Sequence, residues 1–214
     1  MTRTVLVYGD SNSHGTAPMP TLLDMRRFGP DERWPGVMAA ALGPGWRLVE
    51  EALPGRTTVH PDPVSGLHKN GLAVLPAVLE SHAPLDLVIL MLGTNDLKAR
   101  FGLPPVEIAV GAEQLMRHVR QGFTGPGGAA PALLVVCPPP VEEAGCLAEV
   151  FEGGAAKSRR LAPHYAEAAA RWGAAFFDAG TVVGPSPVDG VHLEAADHRR
   201  LGQAIAAAVQ AMAM

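Results

Sequence analysis

The chain has 214 residues, 48% of them hydrophobic and 18% charged, with 17 Lys and Arg set against 21 Asp and Glu. That balance supports a packed core and argues against a disordered chain, and the length fits one domain spanning residues 1–214 better than two small ones. The basic residues are scattered rather than clustered, so nothing points to a nucleic-acid or anionic-membrane partner.

In chain order, Thr4–Tyr8 reads as a buried strand. With the residues before it, this run is too short for the apolar region of a signal peptide. No stretch reaches the ~20 apolar residues that a membrane span needs. Trp34–Leu42 follows as a helix with Pro35 in its first turn, then a strand over Arg47–Glu51 and a helix over Leu72–Ser81. Leu85–Leu92 is a continuous apolar, β-branched run and reads as a strand buried on both faces. Pro105–Gln121 has the pattern of an amphipathic helix, and Ala132–Cys137 that of a strand stopped by Pro138, Pro139 and Pro140. A single helix over Ala155–Trp172, a short strand over Ala174–Asp178 and an Ala-rich helix over Glu194–Met212 complete the chain. Gly125–Pro131 and Gly184–Pro187 read as loops, because the alternation continues across them. Strand–helix alternation of this kind predicts a parallel sheet covered on both faces, a three-layer α/β/α domain. Cys137 and Cys146 form neither a CxxC nor a disulfide framework, which suits reduced thiols and a cytoplasmic location.

Parallel strands open on a common sheet edge, and ligands bind there. The segments expected at that edge are Gly9-Asp10-Ser11-Asn12-Ser13-His14-Gly15, Pro54-Gly55-Arg56 and Gly93-Thr94-Asn95-Asp96, joined by Asp189-Gly190-Val191-His192 before the last helix. Together they supply the parts of an acyl-transfer site. Ser11 offers a hydroxyl nucleophile, and His192 a base to take its proton. Asp189, three residues earlier, can fix the imidazole tautomer through a local turn. The Gly55 backbone N–H and the Asn95 side-chain amide can meet a developing oxyanion. Each residue also has a plainer reading: Ser11 as a turn or cap residue, Gly55 as a type II turn glycine, and Asn95-Asp96 as a helix cap. Asp96 is given only that capping role, and Asp10 that of bracing its turn. His14, His60, His68 and Asp62 lack a compact ligand spacing, so no metal or other cofactor is expected. Gly125-Pro126-Gly127-Gly128 precedes a strand and lacks the Gly-Lys-Ser/Thr ending of a phosphate loop.

GDSNSHG, the lone Gly55, GTND and DGVH, in this order over nearly the whole chain, resemble the four sequence blocks of the SGNH (GDSL-like) hydrolases. The flanking RFGPDERWPGV, EEALPGRTT, LVILMLGTNDLKARF and FEGGAAK are similar to the bacterial arylesterase and acyltransferase branch. The resemblance implies a flavodoxin-like sheet of order 2-1-3-4-5 and a triad of Ser11, Asp189 and His192. It also implies an oxyanion hole made by the Ser11 and Gly55 N–H groups and the Asn95 amide. By the same resemblance Phe151 and Val191 wall the acyl pocket, though either could equally be core, and the protein forms a homo-oligomer. Where acyltransferase members carry bulky apolar side chains after the nucleophile, this chain has Asn12, His14 and Thr16. The expected activity is therefore hydrolysis of small-acyl esters, aryl or sugar acetates, with Asn12 and Thr16 contacting substrate. Acyl transfer to alcohols or peroxide is the alternative within that chemistry, and a flavodoxin-like binding module the alternative outside it.

Overall fold

The computed structural model describes residues 2–212; the five predicted strands and the predicted helices are present with small shifts at the ends, except that the helix expected over Ala155–Trp172 is divided. Five parallel strands, β1 (Arg3–Gly9), β2 (Trp46–Ala52), β3 (Leu87–Met91), β4 (Ala132–Cys137) and β5 (Ala175–Asp178), lie in the order β2-β1-β3-β4-β5. Parallel register runs from Val5 opposite both Leu48 and Leu87 to Cys137 opposite Asp178. The sheet is the doubly wound one expected from the alternation.

Strand periodicity sorts the core into two halves. Leu6, Tyr8, Val88, Leu90, Leu133 and Val135 point to one face, where they meet α3 (Gly71–His82), α4 (Pro105–Gln121) and α6 (Leu161–Arg171). Val5, Val7, Leu87, Ile89, Leu134 and Val136 point to the other, against α2 (Trp34–Leu42) and α7 (Ala195–Gln210). Sequence reading places β3 over Leu85–Leu92, but the ladder runs over Leu87–Met91, ending where β1 ends at Gly9, and the Leu92 carbonyl accepts the Tyr165 hydroxyl at 2.9 Å.

Two local differences matter for function. The residues after β1 form a helical turn, α1 (Ser11–His14), which the sequence pattern reads only as a tight turn. Asp10 caps it, accepting from the Asn12 N–H at 3.0 Å. The single helix expected over Ala155–Trp172 is instead two, α5 (Gly154–Ser158) and α6, broken at Arg159 and Arg160. Pro163 explains the break. Its ring would clash with the carbonyl four residues back, that of Arg159, so the helix restarts and Pro163 falls in the first turn of α6. Among the described residues no helix is long and apolar enough to cross a membrane.

Candidate active site

At the carboxyl edge of the sheet lies a cavity of about 490 Å³, and Ser11, Gly55, Asn95 and His192 all line it. Four chain segments far apart in sequence thus contribute to one wall. Asp189 stands behind it, fully buried.

Asp189 and His192 are held by a compact turn. Asp189 Oδ1 accepts the backbone N–H groups of Val191 and His192, both at 2.9 Å, while Oδ2 meets His192 Nδ1 at 2.7 Å and the Met19 N–H at 2.7 Å. Burial alone would raise this carboxyl; the His192 hydrogen bond and charge, with the two loop N–H groups, outweigh it and hold Asp189 at about 2. The carboxylate is therefore charged at neutral pH, and the imidazole is pinned through Nδ1 with Nε2 left without a protein partner among the described residues. Gly190 makes the turn possible at φ +73°, and a Cβ there would stand 2.0 Å from the Glu142 carbonyl oxygen.

Ser11 begins α1, with its hydroxyl free of hydrogen bonds among the described residues. Its backbone N–H and that of Gly55 also find no partner among them. Gly55 sits at φ +81°, a left-handed conformation that glycine adopts without strain. Lys69 Nζ donates to the Pro54 carbonyl at 2.9 Å. That carbonyl and the Gly55 N–H belong to one peptide unit, so the ammonium polarises the unit and makes its N–H a stronger donor. The Asn95 amide nitrogen donates to the Arg56 carbonyl at 3.0 Å, which fixes the side chain and leaves a second N–H on a cavity-lining residue.

Beneath these donors runs a buried brace. The Arg56 guanidinium packs 4.1 Å from the Tyr8 ring centroid and donates to the Gly9 and Glu51 carbonyls, locking the second loop onto the end of β1. Asp96 is not the cap that its position suggests. Its carboxylate accepts the Thr58 N–H at 3.0 and 3.1 Å and the Thr58 hydroxyl, tying the second loop to the third. Asp10 and Asp96 are fully buried, and burial pushes them up to about 6 and about 7.

Of the residues expected to touch substrate, Thr16, Phe151 and Val191 line the cavity and Asn12 does not. Asn12 is buried and donates from Nδ2 to the Val191 carbonyl at 3.1 Å, so it joins α1 to the His192 loop. Its side chain is spent on that tie because α1 turns it inward. The sequence reading missed Met19, Leu22, Met25, Leu147 and Val150 as cavity wall, along with Lys69, Lys98 and Arg100. Only Lys98, three residues after Asn95, carried a positional hint. His14, His60, His68 and Asp62 are not drawn together, and no cluster of metal-ligating groups occurs among the described residues.

Residues 7–200 match the GDSL-like lipase/acylhydrolase family. No functionally curated protein matches the chain. Among solved structures it is similar to the M. smegmatis aryl esterase, at 41% identity over 99% of this chain and 100% of that one, with a TM-score of 0.94. It is equally similar to a carbohydrate acetylesterase from Sinorhizobium meliloti, at 42% identity over 98% of this chain and 99% of that one, with a TM-score of 0.94. A G-D-S-L lipolytic protein from Veillonella parvula, 12% identical over 99% of this chain and 100% of that one, shares the fold with a TM-score of 0.71.

Proposed function

The chain belongs to the GDSL-like lipase/acylhydrolase family and is a carboxylic ester hydrolase; we propose that it works through a covalent acyl intermediate on Ser11. His192 Nε2 takes the Ser11 proton as Oγ attacks the ester carbonyl, and Asp189 holds the tautomer and offsets the imidazolium charge. The oxyanion is met by the N–H groups of Ser11 and Gly55 and the amide of Asn95. The imidazolium returns its proton to the departing alkoxide. A water, deprotonated by the same imidazole, then attacks the acyl carbon; the bond from that carbon to Ser11 Oγ breaks, the acid is released and the imidazolium returns its proton to Oγ.

One observation carries this reading. Ser11 and Gly55, whose backbone N–H groups and Ser11 hydroxyl have no partner among the described residues, and His192, anchored on a charged carboxylate, border a single cavity. Small acyl groups suit the buried Phe151 and Val191, and acetates of phenols or sugars are the substrates proposed, in keeping with the activities named for the two similar structures. Ser11→Ala should abolish hydrolysis of p-nitrophenyl acetate and labelling by a fluorophosphonate. Retention of either by pure, folded variant would overturn the reading.

The apolar wall of Met19, Leu22, Met25, Leu147 and Val150 favours a second reading, acyl transfer to an alcohol in competition with water. Product partition at rising alcohol concentration decides it, and acid as the sole product removes it. Leu22 and Met25, which line the cavity, expose large apolar side chains, as do Leu23, Val64 and Leu67 near cavity-lining residues in the chain. They support association of copies of this chain, which light scattering tests. The free thiols of Cys137 and Cys146 fit the cytoplasm, and fractionation tests that location.

A further inference from the structure

One wall of the cavity is cationic. Lys69, Lys98 and Arg100 line it, whereas the remaining walls are mostly apolar. Lys98 and Arg100 share one carboxylate, with Lys98 Nζ at 3.3 Å from Asp62 Oδ2 and Arg100 Nη1 at 3.1 Å from Asp62 Oδ1. Asp62 is itself fully buried and also accepts the Val64 and Ser65 N–H groups at 2.9 and 3.0 Å. Three cations therefore face the cavity with a single carboxylate among them, and that carboxylate is already engaged by two backbone donors. Asp24 also lines the cavity, but Arg26 stands beside it at 3.6 Å.

Lys98 is the most telling of the three. It is 8% exposed, and its ammonium has three hydrogens to place but, among the described residues, one acceptor, Asp62. Burial disfavours its charge, and the Asp62 carboxylate opposes that effect. Its remaining N–H groups are available, on a cavity wall, to an acceptor that arrives with the ligand.

We propose that this wall is an anion subsite: the preferred substrate is an ester whose alcohol portion carries a carboxylate, sulfate or phosphate. This rests on the Ser11 reading and deepens it. The small acyl group lies against Phe151 and Val191, and the leaving alcohol extends along Lys98 towards the more exposed Arg100 and Lys69. An anion there gains hydrogen bonds in which both partners are charged, which a neutral alcohol cannot make, and the positive charge of Lys69, Lys98 and Arg100 favours its entry.

The test compares 4-acetoxybenzoate with its uncharged methyl ester and with 4-acetoxyphenyl trimethylammonium, at low and high salt. In the native protein kcat/KM for the carboxylate should exceed that for the methyl ester by roughly tenfold at low salt. The cationic ester should be the poorest, and the preference should shrink as salt screens it. Arg100→Gln and Lys98→Met should each lower the carboxylate-to-methyl-ester ratio, and the double variant should bring it close to one. A native ratio at or below one, or a ratio unmoved in both folded single variants, overturns the subsite. Ser11→Ala on the methyl ester separates the two readings. Loss of turnover there beside a flat charge ratio sinks the subsite alone, whereas retained turnover sinks the Ser11 reading beneath it.

Discussion

The loop that carries His192 and the floor beneath Ser11 each bury carboxylates at the same end of the sheet, with opposite outcomes. Asp189 collects the Met19, Val191 and His192 N–H groups and the His192 ring, and it is held at about 2. Asp10 accepts one N–H, from Asn12, and its Oδ2 finds no hydrogen-bond partner among the described residues, while Asp96 relies on Thr58; burial pushes them up to about 6 and about 7. Burial alone does not decide the charge of a carboxylate. The number of donors aimed at it does, together with a neighbouring imidazole, and only the loop has both. The loop holds a fixed negative charge behind its imidazole, whereas the floor braces loops with groups that ionise reluctantly.

The sharpest way to break this contrast is to remove the chemistry from one side of it. Ser11→Ala should lower kcat by roughly 10⁴-fold or more with the fold intact, as measured by steady-state kinetics. Asp189→Asn keeps the shape of the loop but unsettles the tautomer, and should cost about 10³- to 10⁴-fold in kcat. Asp96→Asn, on the floor, should cost far less. Equal losses from the two carboxylates would erase the distinction between loop and floor.

Gly190→Ala attacks the loop through its backbone. A methyl group forced against the Glu142 carbonyl at positive φ should destabilise the protein by on the order of 3 kcal/mol, read from denaturant midpoints, and should lower activity as Asp189 and His192 separate.

A pH series sharpens the comparison further. Asp96 titrates at about 7 in the folded protein against 3.8 ordinarily, so between these values the folded state keeps a proton that the unfolded state has released. Stability associated with Asp96 is therefore present below 3.8 and lost as pH rises towards 7, an effect on the order of a few kcal/mol. Asp189 behaves in reverse, its contribution being lost only as pH falls from 3.8 towards 2. His198, buried where its Nδ1 accepts the Trp34 N–H, is lowered to about 4 from 6.5, so its contribution is also lost on acidification, across that window. The difference in urea midpoint between Asp96→Asn and wild type should move in favour of the variant from pH 4 to pH 7. A flat difference would mean that Asp96 is not strained by burial. The smallest effect expected is that of Lys69→Met, a loss of roughly three- to tenfold in kcat with KM for a neutral ester little changed, because it weakens a donor that acts mainly in the transition state.

Much of this was legible in the chain itself. Alternation of apolar runs gave strand identity, and helical periodicity matched Trp34–Leu42 and Pro105–Gln121 to the residue. The helix over Ala155–Trp172 was misread because its apolar pattern continues through Arg159 and Arg160, and Pro163 acts on a carbonyl four residues away rather than at its own place. Residue types and strand-end positions were enough to nominate Ser11, Gly55, Asn95, Asp189 and His192. They could not tell Asn12, tied to Val191, from Thr16 on the cavity wall.

Sequence alone thus determined the layered α/β architecture and the chemical parts at the sheet edge, because hydrophobic period and turn chemistry are local properties. Tertiary structure alone decided which side chains face the cavity and which carboxylates are satisfied. Those outcomes rest on contacts such as Thr58 with Asp96, Lys98 with Asp62 and Asn12 with Val191, 38, 36 and 179 residues apart. No local pattern encodes a partner at that separation; only packing of the helices on the sheet brings the two together.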